Sequence, residues 1–287
     1  MSRLATIRPS DLETSFGWVR YWDHGGADDG PPLVFLQGLI AGADSWDGVL
    51  SALTPSHRCI TVDWPFGAHR RPMRSQADLS PPGLVRLVTE VLDALGLEGA
   101  VLVGNDSGGV ISQLVLAAYP ERITALVLVA CDAFECFPPA PYRPLFRLVR
   151  APGAMRLLAA AMNRPGFARS RLGYGAVAHD PADLLHWARP LATDALIRRN
   201  LRKLMSGSSS RQTLDAARHF GDFDRPVLVV WAADDRLFPR SLGERLAGAF
   251  PHGRLEVVAE SRTLIPHDQP LQLAGLISEF LDTSGTP

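Results

Sequence analysis

Cysteine is scarce and scattered. The chain holds Cys59, Cys131 and Cys136. They form no Cys-x-x-Cys pair and no metal-like spacing with histidine, which argues against a disulfide framework or a zinc site and suits a reducing compartment. No apolar run reaches the ~18 residues of a membrane span, and Met1 to Arg8 lack an apolar signal core. No membrane association is expected, and a cytoplasmic location is. A surplus of either charge is also missing: 29 basic residues face 30 acidic ones, for a net charge of −1. That balance offers no signature of nucleic-acid binding. The His-Glu-x-x-His, P-loop and Gly-x-Gly-x-x-Gly signatures are absent, so no metal and no cofactor are expected. What is plentiful is apolar side chain, 46% of 287 residues. That is enough for one large core, with or without an insertion.

Short apolar runs alternate with helical patterns. Strands are expected near Phe16–Trp22, Leu33–Gln37, Cys59–Asp63, Val101–Val103 and Ile123–Ala130. Helices are expected over Ser45–Leu53, over the segment that Ser80 caps and Gly96 ends, and from Val110 onward. This pattern predicts an α/β fold, a mostly parallel sheet covered on both faces. The alternation stops at Phe134 and resumes at Pro226-Val227-Leu228-Val229-Val230-Trp231. It closes with a helix (241–250), a strand (255–259) and a last helix (269–281). Residues 1–133 and 220–287 are therefore expected to form the core, and residues 134–219 a helical lid inserted after the sixth strand, over the edge where open sheets bind ligands. Leu184, Trp187, Leu191 and Leu196 are expected in the lid's own core. The lid carries fourteen basic residues against five acids. It either attracts an anionic small molecule or is a solvated surface balanced by an acidic body, with some arginines docking onto that body.

The densest signal is Gly104-Asn105-Asp106-Ser107-Gly108-Gly109 between an apolar strand and a helix. Strand, sharp turn and helix are the context of a nucleophile elbow. Its central residue is Asp106, not serine. A free carboxylate has a pKa of about 3.9, so it is ionised at neutral pH and needs no base to attack an alkyl carbon. The alternative is an aspartate that only caps the following helix.

With Gln37-Gly38 after the third strand, this elbow, and Ala233-Asp234-Asp235-Arg236-Leu237-Phe238-Pro239, the chain from Phe16 to Leu281 resembles the α/β-hydrolase fold family. The branch it resembles includes haloalkane dehalogenases and epoxide hydrolases. The resemblance implies Asp106 as nucleophile, Asp235 as supporting acid (with Asp234 as the near alternative), and an oxyanion hole from the backbone N–H groups of Leu39 and Ser107. It also implies a histidine after the last strand, but that position holds Thr263. His267, four residues on, is a candidate base, and His69 after the strand ending at Asp63 is the other. Gln37, Trp64, His69, Tyr142 and Tyr174 are expected to line the substrate pocket. Epoxide hydrolases of this kind use two lid tyrosines as acids; this lid has only Tyr142 and Tyr174, which either serve so or are ordinary packing residues. The halide-binding Trp and Asn expected of a dehalogenase are replaced by Ser107 and Leu39.

The expected function is cofactor-independent hydrolysis of a small epoxide, alkyl halide or ester. The missing histidine keeps two alternatives open. One is a lyase or cyclase using Asp106 as base. The other is a lid-gated small-molecule binder with a decayed triad.

Overall fold

The computed structural model describes residues 7–26 and 30–284. In chain order its strands are Ser10–Thr14 (β1), Gly17–Asp23 (β2), Leu33–Leu36 (β3), Cys59–Val62 (β4), Ala100–Asn105 (β5), Ile123–Val129 (β6), Val227–Ala232 (β7) and Gly253–Val258 (β8). They form one sheet in the order β1-β2-β4-β3-β5-β6-β7-β8. β2 runs antiparallel to β1 and β4, and all pairings from β4 across to β8 are parallel. This is the α/β arrangement that the alternation predicts.

The middle strands are buried on both faces because their residues alternate between two apolar layers. Val34, Leu36, Leu102, Leu126 and Val229 face one core. Leu33, Phe35, Val101, Val127 and Val230 face the other. The first layer is closed by Pro81–Ala94 and Ser107–Ala118, the second by Asp47–Leu53 and the C-terminal Pro270–Thr283. Local chemistry sets the ends of the helix at 81–94. The Ser80 hydroxyl accepts from the Gly83 N–H, with prolines in the first turn. Gly96 at φ +67° ends it, its N–H bonding the Asp93 carbonyl while the Leu97 N–H bonds Leu92, which is a Schellman closure.

Between β6 and β7 the described chain makes no strand. It forms short helices at Arg143–Leu148, Ala154–Met162, Pro165–Ala168, Arg189–Thr193, Ala195–Gly207 and Ser210–Ala217, joined by 3-10 turns. Phe146, Met155, Leu184, Trp187, Leu191 and Leu201 form a separate core there, closed by Ile40 and Leu264 from loops at the sheet's edge. Leu196 is not part of it. It is 45% exposed, on the solvent side of the first turn of Ala195–Gly207. Part of the basic surplus docks this layer to the body. Arg199 donates to the Met73 carbonyl, and Lys203 to the carbonyls of Ser75 and Ala77. No helix among the described residues is long and apolar enough to cross a membrane.

Beside the elbow, backbone approaches backbone closely at Gly108. A Cβ there would lie 2.1 Å from the Leu36 carbonyl oxygen and 2.7 Å from that of Gln37. Both obstacles are backbone, so nothing flexible can yield. Gly108→Ala is expected to cost at least about 1–3 kcal/mol, read as a lowered urea midpoint. A midpoint equal to that of the parent chain would refute the close approach.

Candidate functional site

Asp106 sits between β5 and the helix Ser107–Ala118 at φ 51°, ψ −122°. An L-residue rarely adopts this conformation, and holding it costs about 1–3 kcal/mol. The neighbours are small because the turn leaves no space. A Cβ on Gly104 would fall 2.7 Å from the Gly108 carbonyl, and one on Gly109 would fall 2.4 Å from the Cys131 Cβ. The Asp106 N–H donates to the Ala130 carbonyl at 3.1 Å, which pins the elbow to the end of β6.

The side chain is held where the sequence expects an oxyanion hole. The Leu39 N–H donates to Asp106 Oδ2 at 2.9 Å. Burial pushes the Asp106 carboxyl above its ordinary range, and the Leu39 amide together with the Ser107 amide and hydroxyl opposes the rise.

Asp235 follows β7. Its Oδ1 accepts from the backbone N–H groups of Leu237 and Phe238 at 2.8 and 2.9 Å. The Thr263 hydroxyl donates to the same carboxyl, at 3.0 and 3.1 Å from its two oxygens. Burial pushes its pKa up to about 6 against these bonds. Asp234, the near alternative, points outward and pairs with His179 at 3.2 Å. Thr263 is fully buried, and its carbonyl accepts from Asn105 Nδ2 at 2.7 Å. Asn105 thereby ties the loop after β8 to the strand that carries the elbow. The group that the Asp235 carboxyl holds is thus a hydroxyl.

Neither candidate histidine supplies the missing base. His267 lies in the short helix Ile265–Asp268, and its Nε2 is 2.8 Å from the Asp180 carbonyl. That bond commits the ring to the lid instead of Asp106. His69 is fully buried, with Nε2 3.3 Å from Asn200 Oδ1 and Nδ1 accepting from the Gly67 N–H. Burial lowers its pKa to about 4, so it is neutral and locked beneath Ala195–Gly207.

The cavity above Asp106 has a volume of about 100 Å³. Asp106, Ser107, Leu39, Tyr142 and Tyr174 line it, with apolar side chains such as Ile40, Phe146, Met162 and Leu237. The pocket expectation fails for three residues. His69 is placed as described. The Gln37 amide is buried and lies 3.2 Å from both the Val62 carbonyl and the Trp64 N–H, donating to the first and accepting from the second. The Trp64 indole is buried and donates to the Phe35 carbonyl at 3.0 Å. Of the two tyrosines, Tyr174 gives its hydroxyl to the Ile40 carbonyl at 2.8 Å. Burial and the nearby Asp106 push Tyr142 up to about 12, so it stays neutral.

One lining residue escapes the sequence reading. Asp132 follows β6 and is 1% exposed. Its only signal is position: an acid just past a buried parallel strand, on the edge where such sheets place ligands.

A family profile described as the alpha/beta hydrolase fold matches residues 31–270. The chain belongs to this family. It is similar to haloalkane dehalogenase 2 of Mycobacterium tuberculosis, with 24% identity over 274 residues and 93% of each chain covered. It is also similar to 2-hydroxy-6-oxononadienedioate/2-hydroxy-6-oxononatrienedioate hydrolase of Paraburkholderia phymatum, with 26% identity over 83% of this chain and 82% of that one. Among solved structures, the DBJA delta mutant superposes with a TM-score of 0.81 at 17% identity, covering 98% of this chain and all of that one. Carboxylesterase CesB of Bacillus subtilis superposes at 0.69 and 20% identity, covering 96% and 91%. At these identities the structural likeness establishes the fold. At that level of description the protein is an α/β hydrolase.

The environment of Asp235 has a consequence for stability. Its carboxyl holds a proton more tightly folded than unfolded. The resulting stabilisation is complete below the ordinary aspartate value of 3.8 and is lost as pH rises through about 6. Asp235→Asn removes the ionisation. Thermal or urea unfolding is expected to show the variant close to the parent near pH 4 and more stable by about 1–2 kcal/mol near pH 7.5. The same difference at both pH values would overturn this account.

Proposed function

We propose that the protein is a hydrolase in which the Asp106 carboxylate attacks a small, neutral, largely apolar molecule beneath a lid formed by residues 134–219. The observation that carries this reading is the placement of the Asp106 carboxyl. It stands on a strained elbow, within 2.9 Å of the Leu39 amide, at the floor of an apolar cavity. Attack at an alkyl carbon would leave an ester on Asp106. Hydrolysis of that ester passes through a tetrahedral oxyanion, and the Leu39 and Ser107 amides are positioned to receive it. Epoxides and alkyl halides fit this chemistry, and a haloalkane dehalogenase stands among the relatives. The lining residues include two aspartates and no cation, which favours a neutral substrate over an anionic one. Asp235 contributes by holding Thr263 and the loop after β8.

A second reading is favoured by Thr263. With no imidazole at its usual place, Asp106 would act as a base in an elimination or cyclisation that forms no ester.

Intact-protein mass spectrometry after exposure to 1-bromohexane and 1,2-epoxyhexane separates these readings. A mass gain of one hexyl group from the bromide or one hydroxyhexyl group from the epoxide, or release of the corresponding alcohol or diol, each absent in Asp106→Asn, is the expected result. Probe isomerisation that depends on Asp106, with no mass gain, would replace the first reading with the second. Neither adduct nor consumption would refute both as enzymology on these classes.

A further inference from the structure

Asp132 is the feature of the cavity that the chemistry above leaves unused. Neither of its carboxyl oxygens has a hydrogen-bond partner beyond its own residue's amide. No other buried carboxyl among the described residues has both oxygens so placed. Leaving a buried polar group unpaired costs about 1–3 kcal/mol, and a side chain kept only for packing would not carry that cost.

The backbone around it is firmly anchored. The Gln113 side-chain amide donates to the Asp132 carbonyl at 2.8 Å. Cys131 packs so tightly on Gly109 that no Cβ fits between them. Asp132 is therefore fixed relative to the elbow, and it lines the same cavity as Asp106.

We propose that Asp132 is the proton carrier of this site, giving its proton to a leaving oxygen as Asp106 attacks the adjoining carbon. This inference rests on the nucleophilic reading of Asp106. It points to a strained cyclic ether in preference to an alkyl halide. A halide leaves as a stable anion, helped by N–H donors, and no tryptophan or asparagine lines the cavity. An ether oxygen leaves as an alkoxide and has to be protonated.

Two rival hydroxyls are committed elsewhere, and the third, that of Tyr142, is a far weaker acid than a carboxyl, held up at about 12. The Tyr174 hydroxyl is bonded to Ile40 and that of Thr263 to Asp235. Burial and the neighbouring Asp106 charge hold the Asp132 carboxyl well above the ordinary carboxylate range, in its neutral form.

The steps balance with one proton on the carboxyl pair. In the first, the Asp106 oxygen bonds the ring carbon, the ring C–O bond breaks, and the Asp132 proton passes to the freed oxygen. This leaves a hydroxyalkyl ester and an Asp132 carboxylate. In the second, Asp132 takes a proton from water as the hydroxide adds to the ester carbonyl. The tetrahedral intermediate then collapses, and the departing diol oxygen takes that proton back. Asp106 is left protonated, and transfer of its proton to Asp132 restores the starting pair. The net reaction is ether plus water to diol.

Single-turnover rates of consumption of 1,2-epoxyhexane and 1-bromohexane, with enzyme in excess, test this in the parent chain, Asp132→Asn and Asp132→Ser. Proton donation matters for the first probe and not the second. The epoxide-to-bromide rate ratio should therefore fall by roughly 10²- to 10⁴-fold in both variants. Because the ratio is taken within one folded protein, a general loss of packing would lower both rates and leave it unmoved. A ratio equal to that of the parent overturns the role of Asp132 while leaving Asp106 as nucleophile. Consumption of both probes that persists in Asp106→Asn, or of neither by the parent, overturns the nucleophilic reading and this inference with it.

Discussion

The site depends on how closely the elbow approaches the end of β3. The register that pairs Leu36 with Gly104 brings the Leu36 carbonyl against Gly108, with no room for a Cβ. Three residues past Leu36, the Leu39 amide reaches Asp106. A Cβ on Gly38 would itself stand 2.8 Å from Asp106 Oδ2. Contact and hydrogen bond are one constraint. Were the elbow to move outward by the width of a methyl group, the carboxyl would lose the amide that opposes its protonation. The strain at Asp106 persists because the surrounding structure over-determines it. The following helix is buried along nearly its whole length, and the Asp106 N–H is tied to Ala130.

Thr263 changes what Asp235 can do. A carboxylate that steadies an imidazole acts on the reacting atoms through that ring. Here it receives two amides and a hydroxyl, and neither Asp235 nor Thr263 lines the cavity. The pair works as a latch. It fastens the loop after β7 to the loop after β8, and Asn105 fastens the latter to β5.

Much of the fold was legible because it rests on period and punctuation. Apolar runs gave the strands from β2 onward to within a few residues, and Ser80 with Pro81 and Gly96 marked both ends of one helix. β1 was missed for a physical reason. It is an edge strand with mostly exposed side chains, so Ser10–Thr14 carries no apolar alternation. The elbow was legible because its glycines are demanded by backbone contacts. The walls of the cavity were less so. Position along the chain put Trp64, Gln37 and His69 near the sheet's active edge, but each has a polar atom that a buried carbonyl, amide or Asn200 claims. Chain distance likewise made His267 a candidate, while its ring turns to Asp180. Asp132 shows the reverse failure. Nothing in its type or spacing marks it, and only the absence of partners around a buried carboxyl gives it meaning.

The electrostatics follow from those partners. The Asp106 charge raises the affinity of Asp132 and Asp235 for protons, the Asp235 charge raises that of Asp132, and no cation is among the groups that act on the three. Three buried like charges without a counterion are expensive, so the cluster keeps at least one proton. Where it resides is decided by hydrogen bonding to the charged form. Asp235 has three donors, and Asp106 has the amides of the elbow and of Leu39. Asp132 has no donor beyond its own amide, and its ionised form is the least stabilised of the three. The proton therefore settles on the carboxyl of the three that has no donor beyond its own amide. The lid's basic residues do not alter this balance, because those that reach the body spend their charge on backbone carbonyls outside the site. The site is thus a desolvated acid beside a carboxylate, set by which backbone amides point where.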